Sequence, residues 1–302
     1  MALKITRASD PITVDRLNMV LYGPPGLGKT SLAFTADTPL LLDFDNGSHR
    51  AANRKDVVRV SAWGDVAGMT AEDLSPFNTI IVDTAGRALD MITADIIKSD
   101  PKGHKNGALT LPGYGTLKTR FSTFMKLMNS FGKDVVLIAH MEEQRNGDDV
   151  IERLDVQGGS KGEIYKSADA MGRLVLAGKQ RQLLFSPTDA AFGKNPGQLP
   201  PLDVPSPDKP EFGTFLADVI KRTKDRLNTM SEEQKAAQEE QAWWAQHLPE
   251  VKDAKGLNAL LGRIAEAPKP VKIMVRNRAK EIGVEYDEAR KVFAPVKVKE
   301  AA

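Results

Sequence analysis

The sequence predicts an α/β fold, a mostly parallel sheet flanked by helices with a small α-helical region at its C-terminal end. Three observations predict it: apolar runs of strand length that do not alternate, segments of helical period between them, and a glycine-rich loop joining the first strand to the first helix. LNMVLY (17–22) reads as the first strand, and SLAFTA opens a helix after Lys29 and Thr30. PLLLDFD (39–45), DVVRV (56–60) and NTIIVDT (78–84) are further buried strands. RALDMITADII (87–97) and TLKTRFSTFMKLMNSF (116–131) carry apolar positions at helical spacing, and KDVVLIAH (133–140) is again a strand. The polar stretch after His140 reads as a mobile loop feeding edge strands at RLVLAG (173–178) and RQLLFSP (181–187). A proline- and glycine-rich connection (192–211) leads to a short closing helix, FGTFLADVIKRT. A domain boundary is expected at 222, giving a core of residues 1–222 and a helical extension of 223–302. Three helical segments are read in that extension, the first capped by Ser231 and followed by Pro249.

Composition narrows the function classes. Of 302 residues, 41% are hydrophobic and 27% charged, the profile of an ordinary globular protein, and 42 basic against 40 acidic side chains name no partner. No cysteine is present, which removes disulfides, thiolate zinc sites, iron–sulfur ligation and cysteine nucleophiles. The four histidines are scattered and offer no metal cluster. The absence of cysteine fits a reducing compartment, and with no apolar signal core or membrane-length apolar run a cytoplasmic location is expected.

GPPGLGKT (23–30) fits G-x-x-x-x-G-K-[ST] and lies between an expected strand and an expected helix, the context that identifies a phosphate-binding loop. Gly23, Pro24, Pro25, Gly26, Leu27, Gly28, Lys29, Thr30 and Ser31 form the expected nucleotide cradle. Glycines let backbone N–H groups approach phosphate oxygens, Lys29 neutralises the β and γ oxygens, and Thr30 holds Mg²⁺. Asp83, ending a buried strand, is the carboxylate for the Mg²⁺ shell. DTAG (83–86) also fits the D-x-x-G switch of GTPases, but no N-K-x-D segment reads guanine, so ATP is the expected nucleotide. Asp43 and Asp45 both end the strand after the first helix, on one face by period-two alternation, and proximity alone does not choose the general base. His140, ending the last core strand, is a candidate γ-phosphate sensor; a strand-end histidine satisfied by backbone is its plain alternative.

The order LYGPPGLGKTSLA, LLLDFDNGSHR, NTIIVDTAGRAL, LPGYGTLKTRF, VVLIAHMEEQ, LDVQGGSKGEIYKSADAMGRL and FSPTDAAFGKNP resembles phage-encoded RecA-like P-loop ATPases of the Sak-type single-strand annealing group, over roughly residues 3–220. The resemblance implies a RecA-like P-loop NTPase core and places the base at Asp45, where RecA itself carries a glutamate. It implies that His140 stands where RecA-like enzymes have a glutamine coupling the γ-phosphate to DNA-binding loops. It also implies a homo-oligomer, ring or filament, whose sites are completed in trans by Lys179 and Arg181.

Between Lys98 and Lys133 stand seven lysines and arginines against one acid, Asp100. This basic stretch contains GHKNGALTLPGYG, long for a connection inside a compact domain. Lysines on flexible backbone beside an aromatic ring are what single-strand binding uses. The resemblance places the first DNA loop there, with Lys102, Lys105, Tyr114, Lys118 and Arg120, and the second at GGSKGEIYK, with Lys161, Tyr165 and Lys166. The bland alternative is a solvated surface with both tyrosines packed inward. KPVKIMVRNRAK (269–280) adds five basic residues and no acid. Trp243 and Trp244 read as packing anchors, since adjacent helix positions face different directions.

The expected function is an ATP- and Mg²⁺-dependent, DNA-stimulated ATPase that binds single-stranded DNA and pairs or anneals strands, in a bacterial host cytoplasm and with a single-strand DNA-binding protein as candidate helper. Two alternatives stand beside it: a nucleotide-gated scaffold of replication or recombination, and a small-molecule kinase.

Overall fold

The computed structural model describes residues 13–146, 149–156 and 160–296. These fall into two compact units, Val14–Leu227 and a second comprising Thr13 and residues 228–296.

In the first unit β1 (Asn18–Gly23) runs through the glycine-rich loop into α1 (Lys29–Ala33), then β2 (Pro39–Asp43), β3 (Asp56–Arg59), α2 (Gly64–Ala67), β4 (Thr79–Asp83) and α3 (Ala85–Ser99). A small hairpin of β5 (His104–Lys105) and β6 (Ala108–Leu109) precedes α4 (Leu111–Ser130). After it come β7 (Asp134–Asn146), β8 (Asp149–Leu154), α5 (Ser160–Ser167), β9 (Ala170–Ala177), β10 (Gln180–Leu184), β11 (Leu202–Asp203) and the first part of α6 (Phe215–His247), whose residues 228–247 belong to the second unit. The sheet order is β11-β10-β9-β1-β7-β4-β2-β3. It is parallel from β9 to β3, with β10 and β11 added antiparallel. This is the expected α/β arrangement, a mostly parallel sheet with helices on both faces.

Alternation along each strand divides the core in two. Val20, Tyr22, Ile80, Val82, Val135 and Leu137 pack with Leu89 and Ile92 of α3 and Phe121 and Met128 of α4. Met19, Leu21, Leu41, Ile81, Val136 and Ile138 pack on the other face with Leu32 of α1 and Leu216, Val219 and Ile220 of α6. Each such side chain, fully removed from water, contributes about 1.5–3 kcal/mol, which is why these runs are apolar on both faces.

Several local expectations are corrected. The stretch after His140 is no loop: β7 continues past the sheet and pairs with β8 in an antiparallel ribbon from Met141↔Leu154 to Asn146↔Asp149. Backbone ladder bonds hold this ribbon, so its polar side chains concealed it. The segment GHKNGALTLPGYG is also not a long loop. Asn106 (φ 54°) and Gly107 (φ 80°) make the tight turn of the β5–β6 hairpin, and α4 begins at Leu111, capped by the Thr110 hydroxyl accepting from Gly113 N. Gly113 is required there, because a Cβ would lie 1.9 Å from the Gly103 carbonyl oxygen. Of GGSKGEIYK, Gly158 and Gly159 lie outside the described residues, and the remainder is α5. The helix expected to close near 222 instead runs on to His247; residues 215–247 contain no glycine or proline to stop it, and position 231 is helical rather than a cap.

In the second unit α7 (Ala254–Ala259), α8 (Leu261–Glu266) and α9 (Lys269–Glu281) are followed by an unforeseen hairpin, β12 (Val284–Asp287) with β13 (Val292–Pro295). Its core holds Trp244, Leu248, Leu257, Val271, Val275, Val284 and Phe293. Trp244 is fully buried and donates to Glu240 at 2.7 Å, while Trp243 stacks under the Arg263 guanidinium, so both tryptophans are anchors.

Candidate active site

The site grows out of strand order. Because β7 lies between β1 and β4, the carboxyl ends of these strands bring Gly23, His140 and Asp83 into one row, Gly23 directly opposite His140. Ligands of open α/β sheets bind outside this edge. A cavity of about 340 Å³ opens there, lined among others by Gly26, Lys29, Thr30, Asp45, Asp83 and His140.

The loop between β1 and α1 turns through Gly26 and Gly28, both at φ +81°, a conformation glycine adopts without the cost a Cβ brings. Lys29 is 6% exposed and donates to the carbonyls of Gly23 (2.9 Å) and Pro24 (2.8 Å), folding back over its own loop. Burial lowers its pKa to about 8, although the Asp83 charge works the other way. Thr30 donates its hydroxyl proton to Asp83 Oδ2 at 2.7 Å. Asp83 is 4% exposed, and burial raises its pKa to about 6 against the lowering effect of the Thr30 bond; Asp43 and Asp45 push it up further. The Asp83–Thr84 peptide is cis.

The two candidate bases part company. Asp43 is buried and its two oxygens accept from Gly47 N (3.0 Å) and Ser48 N (3.1 Å), pinning the turn after β2. Asp45 lines the cavity, one quarter exposed, with Arg87 Nε at 3.2 Å and Arg50 at 3.6 Å. Sequence reading missed both arginines. Arg87 carried a signal: a cation in the first turn of α3 opposes the helix dipole unless a carboxylate holds it. His140 is half-buried, its Nδ1 has no hydrogen-bond partner among the described residues, and its pKa is lowered by burial and then by the Lys29 charge. The imidazole is therefore neutral near pH 7 and its ring nitrogen is uncommitted.

The expected trans pair also divides. Lys179 stands exposed in the turn between β9 and β10. Arg181 reaches back within its own chain to the Leu27 carbonyl of the phosphate loop (3.3 Å) and to the Pro205 carbonyl (2.9 Å), with its guanidinium over Phe212.

Among the DNA-loop candidates, Lys102, Lys105 and Tyr114 are exposed. The others are engaged. Lys118 pairs with Glu163 (3.3 Å), Lys166 with the same carboxylate (3.7 Å), Lys161 with Glu142 (2.7 Å) and Arg120 with Asp95. Tyr165 packs on Phe192 at 4.5 Å, and its hydroxyl accepts from Leu154 N at 3.4 Å. Its face is spent in packing.

Among the described residues no group of three or more His, Asp or Glu side chains could hold a metal by itself. The hard oxygen donors Thr30 and Asp83 fit Mg²⁺, which takes few protein ligands and fills its shell with phosphate and water.

Residues 15–196 match AAA_24, an AAA domain, across well over half of the chain. No curated protein matches the sequence. Similar solved structures include the KaiC-like protein PH0186 from the hyperthermophilic archaeon Pyrococcus horikoshii OT3, 10% identical over 56% of this chain and 77% of that one, TM-score 0.33. A second solved structure, an isolated ATPase domain, is 9% identical over 56% of this chain and 76% of its own, TM-score 0.36. A prototypical ATPase of the type III secretion system of pathogenic bacteria is 10% identical over 53% of this chain and 51% of its own, TM-score 0.33. The family match encloses the glycine-rich loop, the Thr30–Asp83 pair, Asp45 and His140 together, and the chain belongs to the AAA_24 family of AAA domains, with a P-loop ATPase core.

Proposed function

We propose that this ATPase binds single-stranded DNA and uses ATP to pair or anneal complementary strands as a homo-oligomer, in the manner of the phage Sak-type proteins it resembles, in a bacterial host cytoplasm. The observation that carries the reading is the meeting of Lys29, Thr30, Asp83, Asp45 and His140 around one cavity at the carboxyl edge of the sheet. Residues 23–31 cradle the phosphates, and Lys29 leaves its loop carbonyls for the β and γ oxygens. Thr30 and Asp83 hold Mg²⁺, which when bound neutralises charge on the phosphate oxygens. Asp45 takes the proton of the attacking water as the water oxygen bonds to the γ-phosphorus and the bond to the β-phosphate oxygen breaks, giving ADP and phosphate. The neutral His140 ring reports the γ-phosphate to the ribbon that follows it in β7. Lys179 reaches a neighbouring protomer's site, while Arg181 braces its own phosphate loop. Lys102, Lys105 and Tyr114 contact the strand, and a single-strand DNA-binding protein is the candidate helper. Among the described residues no helix is long and apolar enough to cross a membrane.

A second reading, the nucleotide-gated scaffold, is favoured by the ion pairs that occupy Lys118, Arg120, Lys161 and Lys166. Phosphate release measured with and without single-stranded DNA, across salt and protein concentration, separates the two. The annealing reading expects stimulation that needs both DNA and high protein concentration and fades steeply with salt. A rate indifferent to DNA at every protein concentration selects the scaffold.

A further inference from the structure

The second unit carries a cationic face that the nucleotide site does not use. α9 buries Val271, Val275 and Ala279 in the small core and turns Lys269, Lys272, Ile273, Arg276, Asn277 and Lys280 outward, all exposed. Their spacing, i, i+3, i+4, i+7, i+8, i+11, is one continuous helix face. Among the described residues no carboxylate forms an ion pair with its four cations; the pairs nearby are Arg278–Glu281, Arg290–Asp287 and Arg263–Glu240. Lys272 makes one hydrogen bond, to the Ala265 carbonyl at 2.9 Å.

Helix stability does not explain this face. Lys269 and Lys272 stand near the N-terminus, where the dipole disfavours cations, and the first turn has no acid to offset them. Ile273, 60% exposed, lies among the charges, where solubility alone would place a polar side chain. The order of elements points the same way: α8 joins α9 through Ala267 and Pro268, and the β12–β13 hairpin follows, so a helix-turn-helix pair precedes a β-ribbon. At 13 residues α9 is about 20 Å long, and an α-helix fits a DNA major groove.

We propose that this face of α9 binds duplex DNA, with Lys269, Lys272 and Lys280 on backbone phosphates and Arg276 and Asn277 turned to the base edges. Arginine and asparagine are the side chains that make paired hydrogen bonds to guanine and adenine, and the exposed Ile273 offers an apolar contact to a thymine methyl. This duplex site is separate from the single-strand contacts of the first unit and does not depend on the nucleotide reading. Its limit is marked by two acids. Glu285 and Glu288 line a cavity of about 810 Å³ together with Lys272, Arg276 and Lys280, so their charge stands beside three of the four cations and opposes an approaching phosphate.

The test is fluorescence anisotropy of the full chain with a labelled duplex of about 20 base pairs, without nucleotide, across a salt series. Replacing Lys272, Arg276 and Lys280 together by alanine is expected to weaken duplex binding tenfold or more and to lower the salt slope by about 1.8, from the two phosphate contacts of Lys272 and Lys280. The pair Glu285→Gln and Glu288→Gln is expected to tighten binding several-fold, a gain that damage to the fold does not produce. Wild-type affinity in a triple variant that melts normally overturns the proposal. So does the absence of tightening in the glutamine pair, a preference for the matching single strand, or binding of anionic lipid vesicles or an acidic peptide with no binding of duplex.

Discussion

The carboxyl edge of the sheet and the basic surface of α4 and α5 both bring charged side chains together, and they do so in opposite ways. At the edge, Lys29 and Asp83 are almost fully buried with pKa values pushed toward neutrality, and a ring nitrogen of His140 goes without a partner among the described residues. On the α4–α5 surface Lys118 and Lys166 are exposed, Arg120 and Lys161 half-buried, and all four already have carboxylates. Burying ionisable groups costs free energy that surface pairs never incur. A region that bears this cost is shaped for a ligand that offsets it, as the nucleotide and metal proposed for this site would. A surface whose charges are matched within the chain is stable as it stands, and a strand must displace those partners.

The largest effect that could break this contrast lies at the two aspartates. Asp45→Asn is expected to lower the rate of phosphate release by about 10²–10⁴ while nucleotide affinity is kept, since a general base acts only on turnover. Asp43→Asn keeps one acceptor for two backbone amides and is expected to cost about 1–3 kcal/mol of stability, read by denaturant unfolding, with turnover far less affected. Reversed outcomes would move the base to Asp43 and make Asp45 the structural residue, held by Arg87 and Arg50.

A smaller effect sharpens the surface side. Lys102→Ala with Lys105→Ala, both exposed, is expected to weaken single-strand binding about tenfold and to reduce the salt slope by about 1.4. Lys118→Ala with Lys161→Ala, both paired with carboxylates, is expected to change affinity less than threefold, because those lysines already neutralise Glu163 and Glu142. Equal losses in the two variants, measured by anisotropy, would show that DNA takes the paired lysines from their acids.

How far the sequence was legible follows the same division. The parallel strands could be read because burial on both faces forces unbroken apolar runs such as LNMVLY and TIIVD. The phosphate loop could be read because its glycines and Lys29 are local in the chain. What escaped was long-range or carried by the backbone. The β7–β8 ribbon holds together by ladder bonds under polar side chains. The partners of Lys161 and Arg120, nineteen and twenty-five residues away, depend on tertiary packing. Arg181 meets Leu27 across 154 positions, so nothing local marked that in-chain contact. Alternation gives Asp43 and Asp45 the same face, so their different surroundings, Asp43 tied to the Gly47 and Ser48 amides and Asp45 lining the cavity, could not be read from spacing.

The smallest effect bears on whether the nucleotide edge is held at a cost. Lys29 titrates near 8 in the folded chain against 10.5 when free, so in the folded state its charge is disfavoured. A lowered basic pKa leaves stability intact above the unfolded value and reduces it as pH falls from 10.5 through about 8. Near neutrality the penalty is about 3 kcal/mol, partly offset by the two hydrogen bonds to Gly23 and Pro24 at about 1 kcal/mol each. Lys29→Met, which fills similar space without charge, is therefore expected to make the ligand-free protein about 1 kcal/mol more stable at neutral pH. As pH rises through about 8 toward 10.5 the wild type recovers and the advantage should vanish. Urea unfolding of both proteins over that range reads the difference directly. A variant less stable than wild type at neutral pH would mean that the lysine fastens its loop more than its burial costs, and the asymmetry between edge and surface would lose its energetic basis.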